Sequence, residues 1–427
     1  MRAIVLGSEL PRASAVVRSL GRAGVQTELL DHRLSMPAVH SRYIRRRHLQ
    51  HHNAQRPAGF AGDWYFSEKL ALDALDRLGE NGGGLLFPTN DDYLRLVARH
   101  HEHLAKKFVL CHPPWDVLET MMDKFACYRA VAEWGLSVPE YFTPGTEDEL
   151  RRVAAGLDFE ARAYLLRTNV WISGPADPQS GAFTRPGGQD AGTLLQRAMD
   201  IVARTGVFPI IQEVVRGEVD SCIGVNMLVD RNHDPMLTYC VKRLKLYTYS
   251  RGGGYRHPYE LGANVYAESV HDEEAVEAAR TFVRRAGFYG PITVEFRRDA
   301  VSAELKFIKA DPRVVNAVGL STALGMDMPL ATYRYFAEQR LTLQQPYQDG
   351  LVWIWLDRFV RSVIRNRRES SVRRQLASVF KRAARLRAEA YLSLSDRGPM
   401  YRAWQKEWQT RFGTRRPGAA GRALGQA

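Results

Sequence analysis

The sequence predicts a mixed fold: an N-terminal α/β domain, α+β domains after it, and a basic helical region near the C-terminal end. The first observation is an alternation of strand-like and helix-like runs across residues 2–31. The second is a pair of strand-like runs, 291–296 and 304–310, joined by a polar turn, which predicts a β-hairpin. The third is a change in composition near residue 350, after which arginines and apolar residues recur at helical spacing.

The length and composition indicate a globular protein. A chain of 427 residues is long enough for two or three domains. Its hydrophobic content of 45% and charged content of 25% are ordinary for a soluble protein, and no apolar run approaches the roughly 20 residues of a membrane span. Because the four cysteines have no CxxC or metal-site spacing, we expect reduced thiols in a cytoplasmic protein.

The net charge of +13 favours anionic partners: a nucleotide, an acidic substrate, a nucleic acid or a membrane surface. The charge alone does not choose among them. No zinc pattern or ribonucleoprotein aromatic motif supports sequence-specific nucleic-acid binding, so we expect none.

Residues 1–115 predict a parallel, doubly wound sheet. A strand, a helix and a second strand form a βαβ opening without the GxGxxG motif of dinucleotide sites; they are Arg2–Leu6, Ala13–Ala23 and Val25–Leu30. A later strand that begins at Leu85 runs into Asn90 and Asp91. Ligands bind beyond the carboxyl ends of such strands, but a helix cap at Asn90 or Asp91 explains these residues equally well.

The hairpin at 291–310 brings charged residues together. It places Glu295 beside the segment 309–313, which contains Asp311 and Arg313. Mg²⁺ prefers one or two carboxylates together with substrate phosphates, so this arrangement suits a cation and a phosphate. A surface hairpin with a salt-bridged end is the alternative.

The region after residue 350 combines an apolar run, 351–356, with a series of arginines. Apolar residues interleave with them at helical spacing, as at Leu376 and Phe380. This pattern predicts a packed helix with a solvated basic face. An amphipathic helix on an anionic membrane surface is the alternative.

Three motifs together resemble the ATP-grasp ligases, over residues 1–340 most closely. Val294–Phe296 reads VEF and Ile308–Arg313 reads IKADPR, similar to the two strands that end the family's nucleotide site. Asp123–Pro139 begins with DK, continues as a helix and ends in GLSVP, similar to the family's linker segment. Pro209–Glu218 reads PIIQEVVRGE, similar to its adenine hinge.

The resemblance implies a domain order. It gives a preATP-grasp (Rossmann-like) α/β domain over 1–115, then a linker helix with the small lid subdomain over 116–208. The larger subdomain with the ATP and magnesium site follows over 209–345. A helical basic extension (346–412) and a disordered tail (413–427) complete the chain.

The resemblance also implies the chemistry. ATP phosphorylates a small-molecule carboxylate, and an amine then attacks the acylphosphate to give an amide and ADP. ATP and Mg²⁺ are the implied cofactors. Neither the two substrates nor the oligomeric state is predicted.

The family's functional positions fall on several residues of this chain. Lys124 and Arg167 are expected on the ATP phosphates, and Glu295 and Asp311 on Mg²⁺. Arg313 is expected at the phosphoryl group or the substrate carboxylate. The adenosine contacts are expected at Gln212, Glu213, Val214, Val215 and Glu218. Two further basic residues, Lys242 and Arg243, are expected to be aimed at phosphate or the acidic substrate.

Three positions depart from the family pattern. Lys309 stands where a metal-ligating glutamate is expected, Asp311 where an asparagine is expected, and Arg167 where a lysine is expected. Three alternatives therefore stand beside a two-metal ligase: a protein that binds nucleotide but no longer ligates, an enzyme in which Lys309 replaces one cation, and a basic membrane-associated binding protein.

Overall fold

A computed structural model of the chain describes residues 1–8, 10–32, 36–50, 66–167, 190–247, 263–340, 344, 346–365 and 372–412. Three β-sheets of five, three and seven strands organise them. The loops predicted at 173–188 and 251–257, and the tail from residue 413, lie outside the described residues. In the part of the chain that the structure describes, no helix is long and apolar enough to cross a lipid bilayer.

The N-terminal domain is a parallel five-stranded sheet of order β3-β2-β1-β4-β5. Its strands are β1 (Ala3–Leu6), β2 (Thr27–Asp31), β3 (Ile44–Leu49), β4 (Leu85–Pro88) and β5 (Val109–Leu110). Its helices are α1 (Pro11–Arg22), α2 (Glu68–Glu80), α3 (Asp91–Arg99) and α4 (His101–Ala105). The predicted Rossmann-like domain is confirmed. The strand order changes direction between β1 and β4, which places the carboxyl ends of these two strands at a switch point.

A linker of two helices leads into the lid. The linker helices are α5 (Trp115–Met122) and α6 (Lys124–Glu133). Helix α6 begins where the Asp123 carboxylate accepts hydrogen bonds from the backbone N–H groups of Phe125 and Ala126, at 2.8 and 3.0 Å. It ends just before Gly135, whose φ of 81° is the left-handed conformation that glycine adopts without strain.

The lid is an antiparallel sheet of order β6-β8-β7 covered by two helices. Its elements are β6 (Tyr141–Phe142), α7 (Glu147–Gly156), β7 (Tyr164–Arg167), α8 (Ala191–Thr205) and β8 (Ile210–Glu213). Apolar residues of α7 and α8 pack on this sheet. The lid was expected to end at residue 208. Because β8 is the central strand of the lid sheet, the lid extends to Glu213.

The largest sheet has the order β13-β12-β9-β10-β11-β14-β15. Its strands are β9 (Cys222–Val229), β10 (Pro235–Tyr247), β11 (Ala263–Val270), β12 (Gly290–Arg298), β13 (Leu305–Asp311), β14 (Val352–Ile354) and β15 (Leu386–Glu389). The predicted hairpin is β12–β13, and its register sets Glu295 opposite Lys309 and Thr293 opposite Asp311.

Helices cover both faces of this sheet. The helices of this part of the chain are α9 (Glu273–Arg285), α10 (Gly319–Ala323), α11 (Met328–Glu338), α12 (Leu356–Arg365), α13 (Val372–Arg382) and α14 (Gly398–Phe412), the last of which contacts Pro37–His40 of the N-terminal domain. One face packs on α9 and the linker, and the other packs on α1, α10 and α11. The N-terminal domain thus docks directly on the large sheet.

The C-terminal extension is helical for the most part, as expected, but it also adds β14 and β15 to the sheet. Its attachment to the N-terminal domain centres on Asp396, which is fully buried. The carboxylate accepts hydrogen bonds from Arg18 Nε at 3.0 Å, Ser41 Oγ at 2.8 Å and the Arg42 N–H at 2.9 Å.

Candidate functional site

The end of the β12–β13 hairpin carries a tight cluster of charges. The Nζ atom of Lys309 lies 2.6 Å from Asp311 Oδ2 and 3.6 Å from Glu295 Oε2. Lys309 and Asp311 are two apart on β13, so their side chains leave the same face of the sheet as Glu295, which is paired with Lys309. The predicted meeting of Glu295 with the 309–313 segment is therefore present.

Arg243 joins this cluster, and Lys242 does not. The Arg243 guanidinium hydrogen-bonds Glu295 Oε1. Adjacent residues on a strand point to opposite faces, and the Lys242 Nζ atom lies 3.8 Å from Glu268 Oε1 on the neighbouring strand β11. The expectation that both basic residues face the same phosphate or substrate is not met, because strand alternation separates them.

Arg313 connects the hairpin to the N-terminal domain. Its side chain is 8% exposed, with Nε 2.5 Å from Asp91 Oδ1 and Nη2 3.4 Å from Asp311 Oδ1. Burial opposes ionisation of Asp91, but Arg313 outweighs that effect and lowers the pKa of this carboxyl. Of the two alternatives for the polar loop after β4, the helix cap is present: Asn90 caps α3 by accepting from the Tyr93 N–H at 3.0 Å. Ligand binding at this loop stays a prediction, and Asp91 is ion-paired with Arg313.

Lys124 and Arg167 approach the cluster from the linker and the lid. Lys124 is the first residue of α6, and Arg167 is the last residue of β7. Burial and, to a smaller extent, the positive charges of Arg167 and Lys309 lower the pKa of Lys124, Asp311 opposes them, and the net result is a pKa of about 7. The buried Nε of Arg167 has no hydrogen-bond partner among the described residues. Among the described residues, no ion pair joins Lys124 or Arg167 to a carboxylate, and two basic groups that lie close together without one are typical of an anion site.

The predicted adenosine strand is β8, the central strand of the lid. Glu213 is buried, and its Oε2 accepts from Lys306 Nζ at 3.0 Å and from the Glu140 N–H at 3.1 Å. The backbone N–H groups of Glu213 and Val214 donate to Glu140 and to Ala163 respectively, each at 2.8 Å. These contacts fix the strand and leave its side-chain carboxylate committed to Lys306.

The remaining adenosine candidates frame the same strand. Val215 is buried beside it, whereas Glu218 is exposed and its backbone oxygen accepts from Arg297 Nη2 at 3.2 Å. The Tyr128 hydroxyl lies 3.2 Å from Gln212 Oε1 and 3.0 Å from the Ile308 carbonyl oxygen. One phenol therefore ties the linker helix, the lid strand and the hairpin together.

The side chains at the hairpin do not fit a metal held by the protein. Burial would raise the pKa of Asp311, but Lys309 and Arg313 lower it well below its usual range. Asp311 is therefore ionised, and both carboxylates of the predicted metal pair already have ion-pair partners. Among the described residues no group of three His, Cys, Asp or Glu side chains could hold a metal ion. The predicted Mg²⁺ ligands, Glu295 and Asp311, face ammonium and guanidinium groups instead.

Sequence reasoning missed four contributors to the site: Arg12, Asp91 as the partner of Arg313, Tyr128 and Lys306. Arg12 hydrogen-bonds the Thr89 carbonyl oxygen, and its charge helps lower the pKa of Asp91. Asp91 followed a predicted strand, which was a usable signal. Nothing in the local sequence distinguishes Tyr128 or Lys306 from ordinary surface residues.

Solved structures with a similar fold are known. The β-γ-ATP complex of Campylobacter jejuni biotin carboxylase matches with a TM-score of 0.59 at 13% identity, over 82% of this chain and 74% of that one. Staphylococcus aureus N5-carboxyaminoimidazole synthetase, complexed with ADP, matches with a TM-score of 0.57 at 12% identity, over 81% and 79%. The chain has the ATP-grasp fold.

A third ATP-grasp structure is the biotin carboxylase domain of Hydrogenobacter thermophilus 2-oxoglutarate carboxylase, solved with MgADP, ADP and bicarbonate. It matches with a TM-score of 0.55 at 15% identity, over 82% of this chain and 73% of that one. At such identities the similarity establishes the ATP-grasp fold alone. No protein-family model matches the chain, and no curated protein sequence matches it.

Proposed function

We propose that this ATP-grasp protein is an ATP-dependent ligase that joins a carboxylate to an amine through an acylphosphate. The observation that carries the proposal is the convergence of Lys124, Arg167, Lys309 and Arg313 at the junction of the lid, the hairpin and the N-terminal domain. The four cations come from α6, β7, β13 and the segment after β13.

ATP would lie between the lid and the large sheet. The base would meet the backbone around Glu213–Val215, and Glu218, the exposed carboxylate after that strand, would accept from the ribose. The phosphates would then extend toward Lys124 and Arg167. The similar structures include a β-γ-ATP complex and an ADP complex, which supports a nucleotide as the ligand.

The chemistry requires positioning and charge neutralisation rather than a covalent enzyme nucleophile. An oxygen of the substrate carboxylate attacks the γ-phosphorus, and the bond to the β,γ-bridging oxygen breaks as ADP leaves. The amine nitrogen then attacks the acyl carbon, phosphate leaves with the electrons of the acyl–oxygen bond, and the nitrogen loses a proton.

Arg313 is the residue that we assign to this transfer. Its guanidinium is held between Asp91 and Asp311, so it presents a fixed positive charge where the N-terminal domain meets the hairpin. Burial opposes its charge, yet these two carboxylates raise its pKa and keep it protonated throughout the physiological range.

Hydroxylamine trapping tests the proposal without knowledge of the amine. ATP and a panel of carboxylates would be supplied with hydroxylamine, and hydroxamate and ADP measured together. Formation of both in equal amounts with one carboxylate, and its loss in Arg313→Gln, supports the ligase. If nucleotide binds but no carboxylate in the panel releases ADP, the protein is an ATP-grasp binder without ligase activity.

A second function is favoured by the surface of the C-terminal extension: contact with an anionic membrane. One side of α12 is buried through Phe359 and Val363. Leu356, Val360 and Ile364 recur at intervals of four on the same helix and are 46%, 42% and 50% exposed. They form a second apolar stripe that faces solvent.

The neighbouring helix α13 adds an exposed apolar side chain among cations. Phe380 is 77% exposed, and Arg373 and Lys381 on the same helix are also exposed. The sequence from 372 to 387 contains no acidic residue. Apolar side chains set among basic ones suit the interface of an anionic bilayer better than a nucleic acid, which needs only the charges.

Vesicle flotation tests this second proposal. We expect the protein to float at low salt with phosphatidylcholine vesicles that contain phosphatidylserine, and not with phosphatidylcholine alone. Ile364→Ser with Phe380→Ser should weaken flotation about tenfold. The proposal is overturned if the double variant floats as well as the wild type, or if the wild type does not float. If flotation is lost only in variants that remove positive charges, the surface is a polyanion site instead.

A further inference from the structure

We infer that the ammonium group of Lys309 is a built-in counter-ion that occupies the place between Glu295 and Asp311 where a protein-held metal ion would bind. The inference concerns the same site as the proposed function and rests on it in that respect alone. It implies that magnesium enters, if at all, as a counter-ion carried by the nucleotide.

The pairing of the carboxylate oxygens carries the inference. For Glu295, Oε1 faces Arg243 and Oε2 lies 3.6 Å from Lys309 Nζ. For Asp311, Oδ1 lies 3.4 Å from Arg313 Nη2 and Oδ2 lies 2.6 Å from Lys309 Nζ. Each of the four oxygens thus has a cation beside it, and among the described residues Lys309 is the group that forms ion pairs with both carboxylates.

The local charge also opposes a metal ion. Three carboxylates, Glu295, Asp311 and Asp91, face the three cations Lys309, Arg243 and Arg313, so the charges of the cluster balance without a metal ion. A divalent ion would add two further positive charges and would have to displace the ammonium to gain two oxygen ligands. Glu295 and Asp311 are largely buried, with side-chain exposures of 11% and 15%, so water screens this repulsion weakly.

Strand geometry explains why a lysine can take this role. Lys309 is paired with Glu295 across the hairpin and is two residues from Asp311 on its own strand. All three side chains therefore share one face, and an ammonium with three N–H donors can contact both carboxylates from the middle position. A glutamate at residue 309 would instead place three carboxylates on that face.

Manganese binding without nucleotide tests the inference by electron paramagnetic resonance and calorimetry. We expect the wild-type protein to bind no Mn²⁺ at this site. Lys309→Glu should create a site that binds one Mn²⁺ at least tenfold more tightly, and Glu295→Gln added to that variant should remove it. Lys309→Met removes the charge without supplying a ligand, so it serves as the matched control.

One outcome overturns the inference without any variant at residue 309. The inference fails if the wild-type protein binds one Mn²⁺ and the Glu295→Gln variant does not. Thermal unfolding of every variant identifies any that fails to fold. Because no nucleotide or substrate is present, the result stands apart from the ligase proposal. If the expected manganese pattern is found but the protein turns over no ATP, the ligase proposal fails and the counter-ion inference stands.

Discussion

The guanidinium of Arg313 lies 2.5 Å from the carboxylate of Asp91, although the two residues are 222 positions apart in the chain. This contact joins the end of the hairpin to the carboxyl edge of the parallel sheet. It fixes Arg313 where two domains meet, which is the reason for assigning it to phosphoryl transfer.

Asp91→Asn should therefore lower kcat more than it changes the KM for ATP. The charged partner of Arg313 is lost, and hydrogen bonds to charged groups contribute about 1.5–3 kcal/mol, equivalent to about 10- to 100-fold in rate. Steady-state kinetics with the carboxylate found by hydroxylamine trapping would measure it. Asp92→Asn, one residue along α3, is the matched control, and equal losses in both variants would contradict the role of the Asp91–Arg313 contact.

ATP affinity should depend on pH through Lys124. Since its pKa in the free protein is lowered to about 7, the amine loses its proton as pH rises through that value. Phosphate favours the protonated form, so affinity should fall by up to about tenfold per pH unit above the free-protein pKa. Calorimetric titration of ATP across neutral pH measures this slope.

Lys124→Arg provides the control, because a guanidinium stays charged over the whole range. That variant should give a flat profile, and an unchanged slope would assign the pH dependence to another group.

Lys124 also makes the stability of the protein depend on pH. In the absence of ATP, the folded state binds fewer protons at Lys124 than the unfolded state between about pH 7 and pH 10.5, so the contribution of Lys124 to stability rises with pH across that window.

Asp396→Ala should destabilise the whole protein. The carboxylate is the buried partner of Arg18, which has a side chain only 7% exposed. Removing one member of a buried ion pair costs about 3–5 kcal/mol because the other charge stays buried. Denaturant unfolding would measure the loss. Asp349→Ala, at an exposed pair with His271, should change the free energy of unfolding by about 0–1 kcal/mol; similar values for both would show that Asp396 does not hold the extension.

Lys306→Met should loosen the strand proposed to bind adenine. Glu213 is 3% exposed and would lose its ion-pair partner, at a cost of about 3–5 kcal/mol in the free energy of unfolding. ATP affinity should fall with it, because the backbone of the strand is held by the same residues. Lys69→Met removes an exposed ion pair with Asp73 and should leave both quantities nearly unchanged.

Much of the fold was predictable, because strands and helices follow the spacing of apolar residues along the chain and end at residues that favour turns. The βαβ opening, the hairpin and the helix after Asp123 lie within a few residues of their expected positions. The two strands β14 and β15 were not predicted as part of the large sheet. Their pairing depends on contacts between distant segments, which local periodicity does not encode.

The candidate site was predictable as a set of residue types and less so as geometry. Glu295, Asp311 and Arg313 come together as expected. The separation of Lys242 from Arg243 follows from strand alternation, but choosing which of the two faces the site needs the register of the sheet. The Asp91–Arg313 contact needs the docking of two domains, and no pattern within either segment specifies it.

Calorimetric titration of ATP into the full chain, with and without Mg²⁺, tests the central claim most directly. The claim is that protein cations rather than protein-held metal neutralise the phosphates. It predicts ATP binding without Mg²⁺, strengthened by less than about tenfold when Mg²⁺ is added, and weakened when Lys124 or Lys309 is replaced by an uncharged residue. Binding that occurs only with Mg²⁺ and is lost in Glu295→Gln, or no binding at all, would contradict it.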